Sequence, residues 1–364
     1  MYSGKWMFIK SCAIFCYVLI AISCENPKKT RLRIVEVSAA KIDSLDLRNF
    51  PKFGNVSTSI QPHGKEYVYF YMFENGTLFK LDLNTFKLDE INVFYKPFIV
   101  NFDIQDSLKL ISLFTDDSLF TFDFSGNLLI SKEIPSTNDG YLYAASTDFK
   151  PEIIDRDNYS FYFFPDYIDS YKDKRYFTYP LECHWNVSSN KIKMINVYYP
   201  HNYKVNFVGS KFVPERIRVG EKAFYTFAYN DSIIIYDYIN QKSKLNFFGT
   251  NRELEFLAIN FDSIGIYNES ITDKLYLGNP NYLGTQYLSN KKIFTRRLLS
   301  KNPDEKNIIR EWKLIFYNNE FKYLGETEKI NFGLLLFDTK TKIYSIKINP
   351  NTNHLIWYEV SIPF

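Results

Sequence analysis

Across residues 66–94, EYVYFYMFENGTLFKLDLNTFKLDEINVF, hydrophobic and polar positions fall into short blocks separated by turn residues. The apolar run Tyr67 to Phe73 has the length of a strand buried on both faces. Asn75 and Gly76 follow, two residues that tolerate the positive φ of a type I′ hairpin turn. Phe79, Leu81 and Leu83 then alternate with Lys80 and Asp82, the period of two expected where one sheet face is covered. Asn84 and Thr85 turn the chain again, and Phe86, Leu88, Ile91 and Val93 begin another strand.

The middle of this unit returns twice. Residues 77–83, TLFKLDL, are matched by 118–124, SLFTFDF, and by 232–238, SIIIYDY. Each copy follows a turn of Asn, Asp or Gly and runs Ser or Thr, two apolar residues, a free position, then apolar-Asp-apolar. Weaker echoes lie at residues 183–187, with Asn186 in the Asp place, and at residues 335–338, ending in Asp338. Asp82 and Asp123 stand 41 residues apart, close to one four-stranded propeller blade of ~40–45 residues. The later intervals, 63 residues to Asn186 and 51 more to Asp237, leave room for insertions.

Further strands are expected at residues 159–164, 191–199, 223–229, 255–260 and 312–317, while KKIFTRRLL within 285–300 reads as a helical turn or a basic strand. A β-sandwich also uses short strands, but it has no reason to repeat one hairpin. Radial repetition does, and it protects sheet edges without disulfides. The pattern therefore predicts an all-β chain: a single β-propeller over residues 35–364, with six blades or, as the alternative, seven. Its terminal segments should pair to close the ring. The recurring Asp is expected to sit on a solvent-facing strand position or to bond backbone in the turn that follows it.

The composition agrees, with 29 Tyr and 34 Phe beside 14 Gly, because aromatic side chains suit a pleated surface. A formal charge of +3 offers no electrostatic basis for binding nucleic acid.

The first residues read as an address. Lys5 and Lys10 precede an apolar run from Ala13 to Ile22, which ends in Ala21-Ile22-Ser23-Cys24. That run is short for a membrane span of about 20 residues. Residues 1–23 are therefore expected to be a lipoprotein signal, Cys24 the acylated N-terminus and residues 24–34 a tether. An ordinary signal peptide or an uncleaved anchor is the alternative. No Asp follows Cys24, which favours the periplasmic face of the outer membrane over the inner membrane, with the cell surface as the other choice. Cys12 and Cys16 leave with the signal, so Cys183 stands alone and is expected to be a small buried hydrophobe.

With its lipoprotein cysteine, its linker and the units LFKLDLNTFKL and LFTFDFSGNLL, the chain resembles the Bacteroidota lipoproteins known as domain of unknown function 4221. That family is similar to six-bladed propellers of the NHL type. The resemblance implies this fold from about residue 35 onward. It carries no established activity, and so no catalytic residue.

The common catalytic constellations are missing: no GxSxG elbow, HExxH, CxxC pair, Walker loop or Rossmann glycine fingerprint. Glu182, Cys183 and His184 are adjacent strand residues, so all three cannot converge on a metal. No metal or cofactor is expected. The densest acidic cluster is Asp166, Asp169 and Asp173, offset by Lys172, Lys174 and Arg175. With Tyr159, Tyr167 and Tyr171 it forms a candidate ligand-binding loop. As an acid and base, two of these carboxylates would need the ~5–9.5 Å separation of a glycosidase. Asp-Ser pairs placing Ser44, Ser107, Ser118, Ser232 and Ser263 before Leu or Ile resemble O-glycosylation acceptors, but common turn chemistry is the stronger reading of so short a triplet.

Two functions compete. One is a membrane-anchored binding or scaffold propeller for a peptide, glycan or envelope-protein partner. The other is a propeller-fold glycan hydrolase or lyase using loop carboxylates. The missing nucleophile, metal set and acid–base pair favour binding.

Overall fold

The structure, a computed structural model, describes residues 33–46, 58–63, 67–72, 77–85, 87–91, 99–146, 148–166, 173–209, 211–250, 254–261, 275, 278–300, 311–330, 333, 335–349 and 354–364. These form six antiparallel sheets in chain order, the arrangement of a six-bladed propeller.

Blade 1 contains Thr58–His63, Tyr67–Met72, Thr77–Asp82 and Leu88–Ile91. Blade 2 contains Asn101–Gln105, Leu110–Phe114, Ser118–Asp123 and Leu128–Glu133. In blade 3 the inner strand is split into Gly140–Tyr143 and Glu152–Ile153, both paired to Asn158–Pro165; Pro180–Asn186 and Lys191–Tyr198 follow, and the two-residue Ser136–Thr137 adds a sixth strand beside Gly140–Tyr143. Blade 4 runs Glu215–Val219, Lys222–Thr226, Ser232–Asp237 and Lys242–Phe247. Blade 5 runs Asn281–Leu288, Ile293–Leu299, Trp312–Asn318 and Tyr323–Glu326. Contacts between the first strands of neighbouring blades place those strands around the axis.

Both ends of the chain share blade 6. Leu335–Asp338, Ile343–Asn349 and His354–Ser361 supply three strands, and the N-terminal Ser38–Asp46 pairs with His354–Ser361 as the fourth. The expected closure by terminal segments is what holds the ring shut. The N-terminal segment is also tied to blade 5, where Val35 N–H donates to the Glu326 carbonyl at 2.8 Å and Glu326 N–H to the Arg33 carbonyl at 2.9 Å.

The repeated hairpin occupies the third and fourth strands of its blades, and its Asp does what turn chemistry predicts. Asp82 Oδ1 accepts from Asn84 N and Thr85 N, Asp123 Oδ1 from Ser125 N and Asn127 N, and Asp237 Oδ1 from Ile239 N and Asn240 N. Asn186 accepts from Ser189 N in the same way. A fifth copy, not visible as a repeat, is Asn318, which accepts from Glu320 N and Lys322 N. Asp338 is a correction: it ends the inner strand of blade 6, and its Oδ2 accepts from Ser289 Oγ and Asn290 N of blade 5.

The ambiguous segment within residues 285–300 is strand. Residues 255–260 do not form a blade strand; Ile259–Asn260 instead pairs with Asn206–Phe207 as a two-stranded ribbon. The Asn75-Gly76 turn lies outside the described residues, although the strands beside it pair with Met72 opposite Thr77. Apolar cores fill the spaces between blades, such as Phe114, Phe161 and Trp185 between blades 2 and 3. Cys183 is in that core, as its sequence context suggests, and burial pushes its thiol well up.

Candidate functional site at the propeller axis

The split inner strand of blade 3 builds the centre of the site. Between Gly140–Tyr143 and Glu152–Ile153 the chain leaves the sheet for residues 144–151, of which Thr147 lies outside the described set. Pro151 ends the segment and has no N–H for the ladder. Phe149 anchors it, fully buried between blades 3 and 4, with the Arg216 guanidinium 4.4 Å above its ring.

Both neighbouring blades hold this excursion by its backbone. From blade 2, Asn101 Nδ2 donates to the carbonyls of Ala144 (3.2 Å) and Ser146 (2.8 Å), and Asp103 Oδ2 accepts from Ile153 N at 2.7 Å. From blade 4, an Arg216 NH2 group donates to the Lys150 carbonyl at 2.8 Å. The same device links blades 4 and 5, where the Glu215 carboxylate accepts the backbone N–H groups of Gly284 and Thr285. Gln286 continues it to blade 6, exchanging two hydrogen bonds with the Leu336 backbone at 3.0 and 3.1 Å.

This scaffold presents Asp148, Lys150 and Glu152 on one short segment, within electrostatic reach of Asp103, Glu215 and Arg297. Burial pushes the Lys150 amine down to about 8, although Asp103, Asp148 and Glu152 pull the other way. Burial, and then the like charge of Glu215, push the Asp148 carboxyl up. Lys211 sits 3.8 Å from Asp148 and is partly exposed. Arg297 rests against the Gly284 backbone, where a Cβ would meet its Nε at 1.8 Å. Opposite shifts on a neighbouring acid and base, each with specific charge partners, make this place a candidate site.

Arg216 connects this site to a second, deeper cluster. It pairs with Glu152 at 3.0 Å and with Glu182 at 3.2 Å. Glu182 is fully buried and also accepts from Ser160 Oγ (2.7 Å), Tyr238 OH (2.8 Å) and Tyr225 OH, with His184 Nε2 at 2.7 Å. Burial works against this carboxylate, but Arg216 and the hydrogen bonds from His184 and Tyr225 prevail and hold it well below the usual range. Such a dense network can fix the blade 3–4 interface, with Arg216 Nε the atom of it left without a partner among the described residues.

Compared by sequence, the chain matches no family model and no curated protein. Compared by structure, it superimposes on a DUF4221-family member from Bacteroides vulgatus with a TM-score of 0.67 at 13% identity, over 91% of this chain and 99% of that one. The chain has the fold of a DUF4221 protein. A Bacteroides fragilis protein assigned as exported is similar at TM-score 0.55 and 11% identity, over 91% and 96% of the two chains. The likeness to the family drawn from the hairpin units is thus met at the level of the fold.

Of the residues expected to form a binding loop, Tyr159, Asp166 and Asp173 are described, each in a different setting. Tyr159 is a correction: it is fully buried in the core of blades 2 and 3, its hydroxyl 2.9 Å from Thr121 Oγ1, and cannot reach a ligand. Asp166 is exposed at the end of its strand. Tyr167, Asp169 and Tyr171 lie outside the described residues. Asp173 caps the short 3-10 turn Lys174–Thr178 and is gripped by Arg175, which donates from its backbone N (2.8 Å), Nε (2.9 Å) and NH2 (2.6 Å). Those bonds lower the Asp173 carboxyl and keep it ionised, the wrong state for a general acid.

Among the described residues, no three His, Cys, Asp or Glu side chains group as metal donors, and no helix is long and apolar enough to cross a membrane. Glu182 and His184 do meet on one face with Cys183 on the other, as strand alternation requires. Sequence reasoning missed the axial residues. The available signal was DFKPE, residues 148–152, where three charges surround a proline inside what otherwise reads as a strand.

Proposed function

We propose that this chain is an envelope lipoprotein, acylated at Cys24, whose propeller binds a peptide, glycan or envelope-protein partner at its axis. The supporting observation is the set Asp148, Lys150, Glu215 and Arg297, contributed by blades 3, 4 and 5. Most of the bonds around it fix backbone, and the charges of Asp148 and Arg297 are only partly matched by them. Rigid backbone with incompletely matched charge is the condition for binding a ligand without reorganisation. The lipoprotein-like N-terminus and the exported Bacteroides protein of similar fold support a place in the envelope, for which we take the periplasmic face of the outer membrane, with the cell surface as the alternative.

Two experiments test the reading. Cys24→Ala should release the protein from membranes, and mass spectrometry of the wild type should find an acylated N-terminal cysteine. Pull-down of the lipidated protein should recover a partner that an Asp148→Asn/Arg297→Ala variant loses. Equal recovery with that variant would reject the axial site. The hydrolase or lyase reading keeps one point in its favour, because the raised Asp148 carboxyl and the lowered Lys150 amine could serve as acid and base. Turnover in a glycan screen, abolished by Asp148→Asn, would replace the binding reading.

A further inference from the structure

We infer that the axial site takes a zwitterionic ligand of the peptide class, with the ligand carboxylate on Arg297 and its ammonium on Asp148. This deepens the binding reading above and rests on it.

Arg297 supplies the first half of the argument. Its Nε is buried with no hydrogen-bond partner among the described residues. An unmet buried donor is costly, and the planar fork of a guanidinium matches a carboxylate in two parallel bonds. The Trp312 ring lies 5.9 Å from the guanidinium and flanks it. Gly284, with φ +59°, leaves the space the guanidinium occupies.

Asp148 supplies the second half. Its carboxyl is raised by burial and by Glu215, so a cation placed on it would be favoured. Its ion pair among the described residues is the long one to partly exposed Lys211. Arg297 and Asp148 influence each other, yet no ion pair within 4.0 Å joins them. A ligand carrying both charges would match both groups.

The remaining charges select against the other glycan-type candidate. Asp103, Asp148 and Glu152 act on Lys150, and Glu215 acts on Asp148. A polyuronate would meet these carboxylates as like charges, whereas a zwitterion meets each sign with its opposite.

The test uses the full mature chain, immobilised and equilibrated with a pool of tripeptides bearing free termini. The same pool with amidated C-termini, the same pool with acetylated N-termini, and trigalacturonate serve as comparisons, with retention measured by mass spectrometry. Each capping should weaken retention about tenfold or more, the size of one charge-assisted hydrogen bond. Arg297→Ala should abolish the penalty of amidation and keep that of acetylation, and Asp148→Asn should do the reverse. Arg297→Lys, which keeps the charge and loses the fork, should fall between wild type and Arg297→Ala; thermal melts establish that each variant is folded. Equal retention of free and capped pools, or preference for trigalacturonate, overturns the inference. So does failure to retain any free tripeptide while the envelope pull-down still recovers a partner, and in that case the wider binding reading survives.

Discussion

Glu182 offers the sharpest test of the blade 3–4 interface. Glu182→Ala removes the acceptor of Ser160, Tyr225 and Tyr238 and the partner of Arg216, all buried or nearly so. Breaking one side of a buried ion pair costs about 3–5 kcal/mol, because the other charge stays buried. Arg216 would retain Glu152 at 3.0 Å and the Lys150 carbonyl at 2.8 Å, which holds its share toward the lower end. The orphaned tyrosine hydroxyls add about 1 kcal/mol or more, so about 4 kcal/mol is expected. A propeller of about 330 residues has an unfolding entropy near 0.7 kcal/mol/K, and the melting temperature should fall by about 6 °C.

Urea unfolding and calorimetry of Glu182→Ala, Arg216→Met and the Glu182→Leu/Arg216→Met pair form the experiment. The double variant should be less destabilised than the two single losses combined, since it leaves no unpaired charge. Acid adds a second axis. Because the folded carboxyl lies below its unfolded value, its contribution is complete above the unfolded pKa of about 4.3 and fades as pH falls from there toward the folded value. The gap between wild type and Glu182→Gln should therefore narrow between pH 5 and pH 3. A loss below 1 kcal/mol in Glu182→Ala, or strict additivity in the pair, would refute the reasoning.

Three further outcomes are expected. Lys150 holds fewer protons folded than unfolded between about pH 8 and 10.4, so stability should rise with pH across that window; Lys150→Met should remove the rise and gain at most about 3 kcal/mol at pH 7, read from urea melts at pH 7 and 10. Gly284→Ala combines a Cβ 1.8 Å from Arg297 Nε with φ +59°, and should cost about 1–3 kcal/mol in thermal unfolding while displacing the guanidinium. Asn318→Ala should cost about 1 kcal/mol by freeing the turn amides of Glu320 and Lys322, a loss that Asn318→Asp should avoid in the same melt.

The local alphabet of the chain determined the blades. The period of two from Phe79 to Leu83, the turn formers after Asp82, Asp123 and Asp237, and the spacing of those units are properties of a few consecutive residues, and each produces the same hairpin wherever it occurs. Closure through Ser38–Asp46 and His354–Ser361 followed from ring geometry. The tertiary structure decided everything at the axis and between the blades. Glu215 reaches Gly284 and Thr285 across some 70 positions of sequence, and Arg216 reaches Glu152 and Glu182 on different strands. An alternating strand pattern suggests that one face is wet, but inside a propeller both faces of a blade are covered by neighbours. Polar residues such as Glu182, Ser160 and Arg296, which look solvent-facing in the pattern, are buried and must find partners there. For the same reason Tyr159, which read as an exposed aromatic beside an acidic loop, is a core residue. Which polar positions are buried, and with whom, depends on which blades become neighbours when the ring closes.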